Sequence, residues 1–204
     1  MAKSKSSNDK GWQITAYIAI AVIVVSLLVI GVRFTGHVVQ STGIVNVSVD
    51  PTAAINFTTN FINFGNGSVI LGQPYAVLES NVANAVNGSW AYSAQNFTLE
   101  NIGNINVSLQ LKTNKDAAVF IGGTNPEYQY NVTNTKAESC TGASGVTLTA
   151  WNDVNTTDPG TTICPSFGFA SAYDQIQIDV RLLIPSDSKT GNFTDTFTVT
   201  GTAL

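Results

Sequence analysis

The sequence predicts an all-β fold, an antiparallel two-sheet sandwich of immunoglobulin-like or jelly-roll type, preceded by one N-terminal transmembrane helix. Three observations carry that expectation. A long uncharged apolar run lies near the N-terminus. Beyond it, apolar residues alternate with period two, the mark of half-buried strands. Clusters such as Gly65-Asn66-Gly67, Asn87-Gly88, Gly122-Gly123 and Pro159-Gly160 punctuate the alternation as turns do.

From Gly11 to Val32 there is no charged residue. At 1.5 Å rise per residue, about 21 helical residues cover roughly 31 Å, the thickness of a bilayer's hydrocarbon core. Trp12 and Tyr17 fall towards the N-terminal end, where aromatic rings favour the headgroup level. Lys3, Lys5 and Lys10 precede the run and only Arg33 follows it closely, which places the N-terminus in the cytoplasm and the C-terminal part outside. The organisation read from this is a basic cytoplasmic segment at 1–11, a span or signal anchor at 12–32, a juxtamembrane linker at 33–43 and an extracytoplasmic domain at 44–204. The run exceeds the 7–15 apolar residues of a cleavable signal peptide. Val39-Gln40-Ser41 is its only weak cleavage candidate, so an uncleaved anchor is the preferred reading. A pilin-type leader cut after Gly11, in the pair Lys10-Gly11, is the alternative.

In the remaining chain the clearest strand is Gln175 to Ile184, with Ile176, Ile178, Val180, Leu182 and Ile184 on one face and Pro185 ending it. Asn104 to Leu111 alternates as cleanly. Further strands are expected at Ile44–Val49, Ala54–Phe57, Phe61–Phe64, Phe97–Glu100, Ala117–Ile121, Val146–Trp151 and Thr194–Thr200, and a helical stretch only within Tyr75–Val86. Parallel pairing would need crossover helices, which this pattern lacks. Seven to ten short strands of this kind build a sandwich.

Composition sets the surroundings. Charged residues make up 11% of the chain, against about 25% in ordinary globular proteins. Asn, Ser and Thr supply 61 of its 204 residues. A net charge of −4 excludes a nucleic-acid partner, which needs a basic face. Cys140 and Cys164, the only cysteines, lie outside the membrane by this topology and read as a disulfide. Asn-x-Ser/Thr occurs nine times, at Asn46, Asn56, Asn66, Asn87, Asn96, Asn106, Asn131, Asn155 and Asn192. Chance places about four, so N-glycosylation of several is expected, most easily in the turn contexts of Asn66, Asn87 and Asn155.

Catalytic chemistry is hard to place. The single histidine, His37, sits four residues beyond the span, too far from the domain body for a Ser-His-Asp triad. No zinc, phosphate-loop or nucleophile-elbow motif occurs, so no enzyme and no cofactor is expected. Asp153 and Asp158, in the stretch 152–160, form a weak calcium candidate, set against the reading of a plain polar turn. Trp90, Tyr92, Tyr128, Tyr130 and Trp151 are candidate sugar-stacking rings for a surface ligand-binding module, set against ordinary core packing.

The stretch Leu99-Glu100-Asn101-Ile102-Gly103-Asn104-Ile105-Asn106-Val107-Ser108-Leu109 resembles a strand-turn-strand feature of secreted fibre proteins of the TasA/camelysin type and of archaeal surface-thread subunits. Gly43 to Val49 and Asp174 to Ile178 fit the same layout. That resemblance implies a structural subunit whose N-terminal strand completes a neighbour's sheet. Residues 38–49, strand-prone through most of their length, offer an independent hint of strand addition between copies, against pairing within their own domain. The function expected from the sequence is therefore a membrane-anchored, N-glycosylated structural or adhesive protein of the cell surface.

Overall fold

The structure is a computed structural model that describes residues 8–32, 44–142 and 148–204. The chain divides into two units, Met1–Ser48 and Val49–Leu204. In the first, helix α1 runs Asn8–Val32 through 25 residues. The side chains described in it are those of Trp12 and residues 14–25. Among the described residues no helix is long and apolar enough to cross a membrane. Lys3, Lys5, Arg33, His37, the linker 33–43 and Val39-Gln40-Ser41 lie outside the described residues.

The second unit is mostly β, in two antiparallel sheets. Its strands are β1 (Ile55–Thr59), β2 (Tyr75–Glu79), β3 (Ala85–Val86), β4 (Phe97–Asn101), β5 (Val107–Thr113), β6 (Glu127–Asn134), β7 (Cys140–Thr141), β8 (Asn152–Asp153), β9 (Thr161–Phe167), β10 (Gln175–Pro185) and β11 (Phe197–Ala203). A single turn of helix, α2 (Ala117–Phe120), interrupts them. In the seven-stranded sheet β10 pairs with β6 along one edge; along the other it pairs first with β4 and then with β2. β1 flanks β4, β3 flanks β2 and β8 flanks β6. The four-stranded sheet runs β11-β5-β9-β7.

The alternation of Gln175 to Ile184 explains the core. Ile176 and Ile178 pack with Leu99, Tyr130 and Val132 of their own sheet and with Val107, Leu109, Leu111, Ile163 and Phe167 of the other. Further along the same face, Val180 and Leu182 meet Ala76, Leu78 and Tyr128 in a second cluster. Here the cover comes from Phe120 of α2 and from Phe64, Trp90 and Tyr92 of the connecting segments. Phe97 and Phe197 belong to both clusters, with ring centroids 5.2 Å apart. Such burial stabilises by about 1.5–3 kcal/mol per large side chain. The Cys140–Cys164 disulfide joins β7 to β9, with its Cα atoms 5.5 Å apart, inside the first cluster. Closing a loop of that length is worth about 3.5 kcal/mol on a chain-entropy model.

The turn quoted for the resemblance has a physical role. Asn101, buried, donates Nδ2–H to the carbonyls of Ile105 and Phe167 and accepts from Gly103 N. Asn104 holds the incoming chain through Thr52 N and Asp50 O. A Cβ on Gly103 would lie 2.3 Å from the Thr52 carbonyl oxygen, so only glycine lets the two segments meet.

Several local expectations are corrected. Ile44–Val49 forms no strand; Ile44, Val45, Val47 and Val49 are 74–92% exposed. Phe61–Phe64 is irregular, with Ile62 and Phe64 packed under the second cluster. Ala117–Ile121 is helical because the Asp116 carboxylate caps it, accepting from Val119 N at 2.7 Å. The helical stretch expected within Tyr75–Val86 is instead β2 and β3, since Ala76 and Leu78 are needed beside β10. Of Val146–Trp151, 146–147 lie outside the described residues and the rest is a turn before β8. Strands β6 and β9 were not expected.

Where β10 passes from β4 to β2, Ser80 closes the seam. Its N–H donates to Val180 O at 2.8 Å, and its hydroxyl accepts from Val180 N at 2.9 Å. Ser80 is fully buried. Removing the hydroxyl strands a buried donor, a change that costs about 1–3 kcal/mol. Ser80→Ala is therefore expected to lower unfolding stability by that amount in urea titration; an unchanged midpoint would refute this role.

Candidate functional site

Polar side chains on the outer face of the larger sheet gather around one cation. Arg181 meets Glu127 Oε2 at 2.9 Å, Gln129 Oε1 at 2.7 Å and Glu79 Oε1 at 3.3 Å. Gln129 in turn donates to Asp153 Oδ1 at 2.9 Å. Two residues along β10, Asp179 is 2% exposed and accepts from Gln177 Nε2 at 2.7 Å. Burial raises the Asp179 carboxyl above the usual range, and the Gln177 hydrogen bond offsets part of that rise. Directly across on β6, Asn131 has a buried Oδ1 with no partner. The network is an ion cluster in which Arg181 Nε faces Glu79 without a hydrogen bond, beside the unpartnered Asn131 Oδ1.

The calcium candidate comes apart. Asp153 sits on β8 beside Gln129, whereas Asp158 pairs with Lys112 of β5. Among the described residues no group of three His, Cys, Asp or Glu can hold a metal ion.

The aromatic candidates are packed and do not form a platform. Tyr130 is fully buried and Tyr128 is 4% exposed. The Tyr130 phenol is pushed up to about 12 by burial, and the Tyr128 phenol is raised by burial and then by the Asp195 carboxylate. Tyr92 donates its hydroxyl to the carbonyl of Asn84, and its ring meets Phe64 edge-on at 5.0 Å. Trp90 lies on two glycines; a Cβ on Gly67 would stand 2.4 Å from its ring carbons. Trp151 is half-buried. A cleft of about 160 Å³ is lined by Asn106, Glu138, Thr141, Ser166, Gly168 and Tyr173. Comparisons with protein-family models, with characterised proteins and with solved structures find no match.

Two surface features remain. Among the described residues β11 is the longest edge strand, seven residues with neither charge nor proline, and only β5 pairs with it. The sequons differ sharply in setting. Asn46, Asn56, Asn66 and Asn192 are exposed; Asn87, Asn96, Asn106, Asn131 and Asn155 are half-buried. The turn contexts of Asn87 and Asn155 thus give less freedom than their sequence suggests. Gly11, the candidate leader site, lies inside α1, so the helix continues across the Gly11–Trp12 bond. Sequence reasoning overlooked the Ser80 seam because a lone serine before a turn carries no periodic signal.

Two measurements test these assignments. The folded state holds the Asp179 proton more tightly than the unfolded state, so its contribution is present at low pH and lost as pH rises above the normal carboxylate range. Asp179→Asn is expected to raise Tm at pH 7 and to leave it unchanged near pH 3; equal effects at both would refute the buried charge. Calcium at 1 mM is expected to leave Tm unmoved, because a ligand that binds the native state raises it by mass action; a rise would restore the Asp153–Asp158 site.

Proposed function

We propose that this chain is a membrane-anchored, N-glycosylated structural or adhesive subunit of the cell surface, akin to archaeal surface-thread and TasA/camelysin-type fibre proteins, with its two sheets packed as a sandwich. The observation that carries the reading is a mismatch between segment and edge. Ile44–Val49 is uncharged, β-prone and exposed, and it forms no strand among the described residues. β11 offers an unguarded row of main-chain donors and acceptors. Natural sheets blunt such edges with charge, proline or cover unless a partner strand uses them. An extended segment adds to an open edge through main-chain hydrogen bonds, with alternate side chains entering the core face. Val45, Val47 and Val49 share one face and Asn46 and Ser48 the other, the alternation such an addition needs. Residues 38–43 of the proposed donor lie outside the described residues.

The anchor rests on α1, which covers the uncharged run Gly11–Val32, and on the excess of lysine before it. The glycoprotein reading rests on the sequon excess and on a surface with few charges to keep it soluble. Of the aromatic-platform candidates Tyr128 and Tyr130 are buried and Trp90, Tyr92 and Trp151 half-buried, and the pilin-type alternative rests on the Lys10-Gly11 pair alone.

The test is protein purified from its own membranes, followed by intact mass, N-terminal sequencing and electron microscopy. A retained N-terminus, a mass above 21.5 kDa and linear assemblies are expected. Val45→Asp with Val47→Asp should abolish assembly and leave Tm within a degree or two, since neither side chain is buried in the single chain. A soluble, unmodified monomer would overturn the proposal. A start at Trp12 would replace it with the pilin-type leader.

A further inference from the structure

We infer that the fold sorts the nine sequons, so that Asn46, Asn56, Asn66 and Asn192 carry glycans and the other five stay bare. The inference rests on the glycoprotein reading and adds to it which sites are used and why. Transfer of a sugar to asparagine needs a free Nδ2 and a sequon hydroxyl that the transferase can reach. The Nδ2–C1 bond forms as the C1–O bond to a polyprenyl phosphate or pyrophosphate carrier breaks. The carrier phosphate leaves with the electron pair, and the amide proton passes to a base of the transferase. An asparagine whose amide already bonds inside the fold must be torn out first.

Two of the half-buried sequons, Asn106 and Asn155, are tied in that way, and Asn131 is instead held inside a central strand. Asn106 donates Nδ2–H to Ser166 Oγ at 3.3 Å, and its Oδ1 is buried. Asn155 donates to Thr161 Oγ1 at 3.3 Å and accepts from Thr157 N at 2.9 Å, so both ends of its amide are engaged. Asn131 lies within β6, paired to β10 opposite Asp179, with its Oδ1 buried. Asn96 accepts from the hydroxyl of Thr98 at 2.9 Å, which occupies the very hydroxyl its sequon presents. Asn87 is half-buried at φ 58°, and its carbonyl accepts from Ile70 N at 2.9 Å.

The four exposed sequons have none of these ties. Asn46 is in the uncovered segment and Asn192 in the loop before β11. Asn66 sits between two glycines in the turn after β1. Asn56 is on β1, an edge strand paired only with β4, and its side chain points away from the core that Ile55 and Phe57 enter. A glycan there stands beside the free edge of β1. None of the four lies on β5, β7, β9 or β11.

Site-resolved glycopeptide mass spectrometry on the full chain from its native membranes decides the matter. Sugar is expected on the peptides holding Asn46, Asn56, Asn66 and Asn192, with unmodified asparagine at 87, 96, 106, 131 and 155. Asn56→Gln, Asn66→Gln and Asn192→Gln should each remove one glycan mass and leave the rest in place. Sugar at Asn106, Asn131 or Asn155 would overturn the sorting while leaving the glycoprotein reading intact. A chain with no sugar anywhere would overturn both.

Discussion

The seam at Ser80 is the contact on which the domain turns. β10 is the longest strand and the only one with three partners. A strand that changes neighbours midway leaves main-chain groups unserved at the change, and an unserved buried N–H costs about as much as a lost hydrogen bond. Ser80 supplies the missing acceptor with its hydroxyl and the missing donor with its amide. Gln95 N then donates to Ser80 O at 2.6 Å, which brings the start of the next strand back to the same point. Beside the seam on β10, Asp179 is buried while Gln177 and Arg181 on the same face are half-buried.

From the seam the two halves of the inner face take different cover. One half meets the smaller sheet, where strands pack against strands and the disulfide fixes β7 to β9. The other half is roofed by α2, Trp90 and the segment around Phe64. Those covering pieces are irregular, so they need local devices: the Asp116 cap, glycines under Trp90 and the Tyr92 hydroxyl bonded to main chain. The open edge of β11 and the uncovered Ile44–Val49 are two halves of one proposal, and the placement of the exposed sequons is consistent with both.

How far the sequence could be read depends on the range of the signal. Period-two alternation is local, so β10 and β5 were legible to within a few residues, as was the disulfide from a cysteine count. Other features were set by distant partners. Tyr128, Tyr130 and Val132 alternate as plainly as any strand, yet the residue types left a sugar platform open beside core packing; the pairing of β6 with β10 shows the rings as core. β9 holds Pro165, which argues against a central strand, and the sheet accommodates it with register shifts against β5. Ile44–Val49 has strand composition but no strand, because composition says that a segment fits a sheet and not that its own chain provides one.

By itself the sequence determined that this is a β-rich chain with an apolar N-terminal helix, a disulfide and an excess of sequons, because each of those follows from nearby residues. Tertiary structure alone decided which asparagines are free, which aromatics are buried, which carboxylates share a partner and which edges stay open. The buried rings, the shared carboxylates and the open edges depend on strands that arrive from tens of residues away, and a pairing from that distance leaves no mark in the local pattern.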